Sequence, residues 1–183
     1  MTQNSFPVIE TERLILRVPR IEDFEAWAAY MADEEAARYI GGLQSPSVSW
    51  RGLATMAGSW TLVGFAMFSV IEKSTRLWIG RVGPWRPYGW PGPEVGWGII
   101  RSRWGAGFAY EAAVASMDFA VDQLEWDDII HSIHPDNIAS QKLAQRLGST
   151  NRGPGKMPPP FENSPVDLWG QTAKQWKSRQ AGR

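Results

Sequence analysis

The chain has 183 residues, enough for one domain with a full core and too few for two of ordinary size. Nineteen Lys and Arg balance nineteen Asp and Glu, which argues against an electrostatic nucleic-acid binder, so no nucleic-acid partner is expected. There is no cysteine, which excludes a disulfide framework, a thiolate zinc site and a cysteine nucleophile together.

The first residues, Met1-Thr-Gln-Asn-Ser-Phe-Pro7, lack a charged region followed by an apolar core, and no apolar run reaches membrane-spanning length. A cytoplasmic protein with no membrane partner is expected. Thr11–Arg17 alternates as a strand, and a helix follows from about Glu22 with Phe24, Trp27, Ala28 and Met31 on one face. A second helix is predicted around Ser47–Ser59, then strand material over Trp60–Ile71, a polar hairpin turn at Glu72–Arg76 and a strand at Leu77–Gly83. Pro84–Pro93, with four prolines and two glycines, reads as a loop. Beyond it, Glu94–Ile100 has the β-branched and aromatic content of a buried strand.

Ala109–Leu124 is an amphipathic helix with Glu111, Asp118 and Asp122 in one polar stripe. Asp127–His134 is a strand ended by Pro135, and Asp136 or Asn137 caps a helix that Gly148 closes. Ser149–Pro165 reads as irregular, and Val166–Trp169 as the last strand. The order β-α-α-β-β-β-α-β-α-β predicts an α/β (α+β) fold, a mixed sheet with helices on its faces. One domain over 1–183 is expected, with residues 1–8 and 178–183 as flexible tails. Eleven tryptophans are expected mostly to anchor core and loops.

The junction between the Glu94 strand and the long helix carries the strongest chemical signal. Gly105 and Gly107 stand where first-turn amides have no intrahelical partner and the helix dipole is positive, an arrangement that binds an anion through backbone alone. Tyr110 occupies the third position of a Gly-x-Gly-x-x-Gly fingerprint, and no Gly-Lys-Ser/Thr follows, so a dinucleotide fold and a P-loop NTPase are both disfavoured.

Trp104-Gly-Ala-Gly-Phe-Ala-Tyr-Glu-Ala112 resembles the pyrophosphate loop of the GNAT superfamily of N-acetyltransferases, in the branch similar to ribosomal-protein N-terminal (alanine/serine) acetyltransferases. Trp104 stands where much of the family has Gln or Arg. Pro135-Asp-Asn-Ile-Ala-Ser140 with Arg146-Leu-Gly148, and Gly83–Trp97, resemble two further family segments in the right order. The resemblance implies a central mixed, mostly antiparallel sheet flanked by helices. It implies direct acetyl transfer from acetyl-CoA to a primary amine, on a protein N-terminus or a small molecule, in a ternary complex and with no metal.

By the same resemblance, the amides of Gly105, Ala106, Gly107, Phe108, Ala109 and Tyr110, with Trp104, would hold the pyrophosphate. Trp97, Gly98 and Ile99 would pair with the pantetheine arm. Asn137 would lie on the cofactor side and Ser140 near its sulfur, although their spacing also suits simple helix capping. Glu94 is the candidate base and His134 the second; His131 reads as a packed core residue. The tyrosine acid that relatives carry one turn after Ser140 is replaced by Ala144, which leaves open a second reading, an acyl-CoA-binding sensor or assembly protein without turnover. A nucleotide-binding module is the third. Arg38, Tyr39 and Trp85–Trp90 are the expected acceptor walls, and an exposed strand or the Trp-rich loop offers a surface for a homodimer.

Overall fold

The computed structural model of the chain describes residues 6–182; the tail expected at 1–8 falls outside that range as far as residue 5, as does Arg183. Among the described residues eight strands form one sheet: β1 (Ile9–Glu10), β2 (Leu14–Arg17), β3 (Phe68–Glu72), β4 (Trp78–Trp85), β5 (Glu94–Ile99), β6 (Asp128–Ile133), β7 (Thr150–Pro154) and β8 (Asp167–Thr172). Their spatial order is β1-β2-β3-β4-β5-β6-β8-β7, and every neighbouring pair is antiparallel except β5 with β6. The expected mixed, mostly antiparallel sheet is therefore the one observed. Helices α1 (Phe24–Met31), α2 (Glu34–Ala37), α3 (Pro46–Leu62), α4 (Phe108–Asp122), α5 (Ile138–Leu147) and α6 (Ala173–Ala181) flank it. None is long and apolar enough to cross a membrane.

Several boundaries differ from the sequence reading, each for a physical reason. Thr11–Arg13 forms a turn between β1 and β2 instead of opening one strand, because the Thr11 amide donates to the Leu14 carbonyl and the Leu14 amide donates to the Thr11 hydroxyl oxygen, both at 3.0 Å. Trp60–Leu62 belongs to α3 and not to a strand: Leu53, Met56 and Trp60 recur at helical spacing and are all buried. Pro84 and Trp85 complete β4, so the loop begins at Arg86. Ser149–Pro165 is not wholly irregular, since β7 pairs along β8 as a polar edge strand whose Arg152 meets Asp128 at 2.6 Å. Helix α6, with Trp176 as its buried anchor and a Thr172–Gln175 capping box, runs to Ala181.

The core is aromatic. Six of the tryptophans, Trp27, Trp60, Trp78, Trp126, Trp169 and Trp176, are buried. Asp23 locks the start of α1 to the sheet by accepting from the Arg17 guanidinium at 2.7 and 2.8 Å, from the Arg20 amide and from the Ser69 hydroxyl.

The polar stripe of α4 is occupied rather than solvated. Glu111 accepts from the Thr11 hydroxyl at 2.6 Å, the Arg13 amide at 2.8 Å and Arg13 Nε at 2.6 Å. Asp118 accepts from the Trp176 indole at 2.8 Å, and Asp122 pairs with Lys177 at 3.1 Å. The stripe thus fastens both ends of the chain to one helix.

Candidate active site

The one parallel pairing opens the sheet. Strands β5 and β6 are in register only at Glu94 and Ile130, where the Ile130 amide donates to the Pro93 carbonyl; beyond that point they part. The Ile100 amide donates to Ile79 on the β4 side, so strand alternation turns the peptide groups of Gly96 and Gly98 toward β4 and those of Trp97 and Ile99 toward the gap. A ligand crevice at the carboxyl ends of diverging parallel strands is a general feature of open sheets.

Side chains partly bridge this gap. His131 Nδ1 lies 2.7 Å from the Val95 carbonyl and Nε2 lies 2.9 Å from the Ser149 hydroxyl, which also accepts from Gln171 Nε2 at 2.9 Å. The carbonyl requires a proton on Nδ1, and the Ser149 hydroxyl then donates to Nε2. Burial pushes the pKa of this imidazole down to about 4. The Trp97 indole packs tilted against the same ring, with centroids 4.7 Å apart, and donates to Ser140 Oγ at 3.1 Å across the opening. His131 is thus the packed residue its pattern suggested, and it replaces the missing ladder.

Substituting His131 by Leu strands the Val95 carbonyl and the Ser149 hydroxyl and is expected to cost about 2–4 kcal/mol in denaturant unfolding. Because the folded state holds the neutral ring, the unfolded chain binds the extra proton between pH 6.5 and about 4. Wild-type stability is therefore full above 6.5 and falls on acidification through that window by about 3 kcal/mol, a slope the Leu variant lacks.

Behind the opening lies a cavity of about 90 Å³. It brings together Glu94, Trp97, His134, Asn137 and Ser140 from the predicted set, with Tyr39, Met67 and Arg81. Glu94 is 7% exposed, and burial pushes its carboxyl pKa up, with the Trp90 indole N–H donating to Oε2 and Arg81 acting in the opposite sense. Gly96 forms the floor: a Cβ there would collide with the Met67 methyl and lie 3.1 Å from Glu94 Oε1. His134 sits at the rim, its ring 5.0 Å from Tyr39, and its Nδ1 accepts from the Asp136 amide at 3.1 Å. Asn137 caps α5, accepting from the Ser140 amide at 3.1 Å. Ala144 is fully buried beside Ile133 and Trp169.

Of the expected walls, Tyr39 lines the cavity, Arg38 points to a surface pair with Glu35 at 3.7 Å, and Trp85 packs 6.4 Å from Trp90. Met67, Arg81 and Phe161 were not singled out by sequence. Phe161 packs 6.4 Å from Trp90, reaching the Trp-rich loop from the β7–β8 connection, to which no local pattern connects it.

The glycine junction lies at the other end of the free β5 edge. Gly105 and Gly107 adopt φ of +74° and +83°, and Gly107 is the N-cap of α4. These conformations turn the first-turn amides of Phe108, Ala109 and Tyr110 outward, as an anion cradle needs. Residues 104–106 are exposed; the Trp104 indole donates to the Ile99 carbonyl at 2.7 Å, and Arg13 Nη1 donates to the Ala106 carbonyl at 2.9 Å. Arg13 thereby joins the loop to Glu111. A wider depression lined by Asp33, Glu35 and Arg101 is open to solvent, and its Arg101 is already paired with Asp33 at 3.1 Å.

Comparison with known proteins agrees with this geometry. The acetyltransferase (GNAT) domain family matches residues 13–150. The chain is 33% identical over 146 residues to the uncharacterized N-acetyltransferase p20 of Bacillus licheniformis, covering 78% of this chain and 82% of that protein. An acetyltransferase structure from Agrobacterium tumefaciens superposes with a TM-score of 0.79 at 27% identity, covering 91% of this chain and 95% of the other. The ribosomal-protein-S5-alanine acetyltransferase of Vibrio fischeri shares the fold, with a TM-score of 0.73 at 19% identity over 93% of this chain and 98% of its own.

Proposed function

The chain belongs to the GNAT acetyltransferase family and is an N-acetyltransferase, and from that premise we propose that it passes acetyl directly from acetyl-CoA to an amine held beside Glu94. The observation that carries this reading is the unpaired β5 edge, which runs from the Glu94 cavity to the glycine junction at the start of α4.

In this reading the amides from Gly105 to Tyr110 receive the pyrophosphate, each helix-end interaction contributing about 0.3–1 kcal/mol. The outward peptide groups of Trp97 and Ile99 pair with the pantetheine arm, while Gly98 serves through its missing side chain: a Cβ there would collide with the Tyr30 hydroxyl. Asn137 and Ser140 border the arm from α5. The Trp97–Ser140 hydrogen bond marks where the thioester would lie.

Glu94 removes a proton from the amine as its nitrogen attacks the thioester carbon. The C–N bond forms, the C–S bond breaks, and the sulfur leaves with its electron pair as a thiolate that water or the Ser140 hydroxyl can protonate. A buried carboxylate with a raised pKa is a better proton acceptor than an exposed one. His134 is the poorer candidate, because its Nδ1 lone pair already accepts from the Asp136 amide and neutral Nε2 then carries the proton. Titration calorimetry with acetyl-CoA tests the reading: a single saturable site is expected, and no heat of binding overturns it.

A further inference from the structure

The charges inside the cavity point to the kind of amine. Arg81, on β4, lines it together with the Glu94 carboxylate. The guanidinium groups on β2 and β7 meet carboxylates, Arg17 reaching Asp23 at 2.7 Å and Arg152 reaching Asp128 at 2.6 Å, and so does Arg103 just after β5, which reaches Glu72 at 3.0 Å. Arg81 makes no hydrogen bond and no ion pair among the described residues; its contact is with the face of the Trp27 ring, 5.0 Å from the centroid. Burial works against its charge, and the nearby Glu94 carboxylate acts in the opposite sense. A partly buried guanidinium with no hydrogen-bonded anion is costly to hold, and its planar fork suits a carboxylate.

The same cavity therefore holds a carboxylate, already engaged by the Trp90 indole, and a cation that no hydrogen bond or ion pair engages. Tyr39, Ile40 and Met67 form its less polar walls. A peptide N-terminus brings an amine followed by a neutral carbonyl and would leave Arg81 unanswered. An amine that also bears an acid group satisfies both ends. Resting on the acetyl-transfer reading above, we propose that the acceptor is a small amino acid-like molecule whose amine lies at Glu94 and whose carboxylate is bound by Arg81, making Arg81 the residue that sets acceptor specificity.

The test uses the full chain with saturating acetyl-CoA, the standard L-amino acids and their C-terminal amides as acceptors, and thiol release as the readout, which the cysteine-free protein does not contaminate. At least one acid is expected to exceed its own amide in kcat/KM by about 10- to 100-fold, the range for a charged hydrogen-bonded contact. Arg81→Met should bring that ratio toward one, and Arg81→Lys should keep much of it. A merely structural role for Arg81 would lower both acceptors and leave the ratio intact, which would overturn the proposal. So would amides that match their acids across the panel, or acetyl-CoA binding with no acid acetylated. If Arg81→Met does not fold, the wild-type ratio of acid to amide still decides. Failure of acetyl-CoA to bind removes the underlying reading itself, an outcome calorimetry separates from a lack of acid preference.

Discussion

Glu94→Gln should lower kcat by about 10²–10⁴-fold, the range for loss of a positioned general base, with little change in folding. Glutamine has nearly the same shape, and its carbonyl can still accept from the Trp90 indole, so the cavity keeps its wall. The pH dependence carries the sharper prediction. A base acts only when ionised, and burial raises this carboxyl above its ordinary value of 4.5. The wild-type rate should therefore rise with pH through that raised pKa and then level off, and the Gln variant should lose the acidic limb. A kcat–pH profile by thiol release checks both points. An unchanged rate, or a limb that survives the substitution, would remove Glu94 from the chemistry.

The second large effect is on cofactor affinity. Gly107→Val places a β-branched residue at φ +83°, a conformation L side chains rarely adopt, at the N-cap of α4. Its Cβ would also meet Arg13 Nη2 at 3.4 Å and so disturb the group whose Nη1 holds the Ala106 carbonyl. Strain of about 1–3 kcal/mol, relieved by re-forming the loop, corresponds to roughly 10- to 100-fold weaker acetyl-CoA binding. Trp104→Gln should cost less, since the half-exposed indole contributes one hydrogen bond to the Ile99 carbonyl and no backbone amide to the cradle. Calorimetric Kd values compare the two; equal or reversed losses contradict the backbone-dominated cradle.

What could be read from the sequence divides along physical lines. The elements around the cradle carry local signals: β-branched residues before two glycines, a long apolar period after them, and a Pro-Asp-Asn cap with a terminal Gly148. Those segments fold as their patterns suggest. The cavity is made otherwise. Arg81 and Met67 come from β4 and the approach to β3, and Phe161 meets Trp90 from the β7–β8 connection; only the strand order brings these segments together. β7 and α6 were missed because each is polar and held by few anchors, Arg152 to Asp128 in one and Trp176 in the other. The strand mistakenly extended through Trp60 shows the reverse error: Leu62 and Val63 are apolar but exposed, so hydrophobicity there did not signal a sheet.

The clasp between Glu111 and the β1–β2 turn bears on where this domain can be cut. Residues 11 and 13 together supply the three donors that Glu111 accepts, and Arg13 also reaches the glycine loop. A truncated version starting at Leu14 would keep every strand from β2 onward and yet leave a half-buried carboxylate bare at the first turn of α4. The Glu111 charge, balanced by Arg13 in the full chain, would stand uncompensated at the start of the helix that forms the cradle. For expression or fusion, the functional boundary therefore lies before Ile9, upstream of residue 13, where the family match begins.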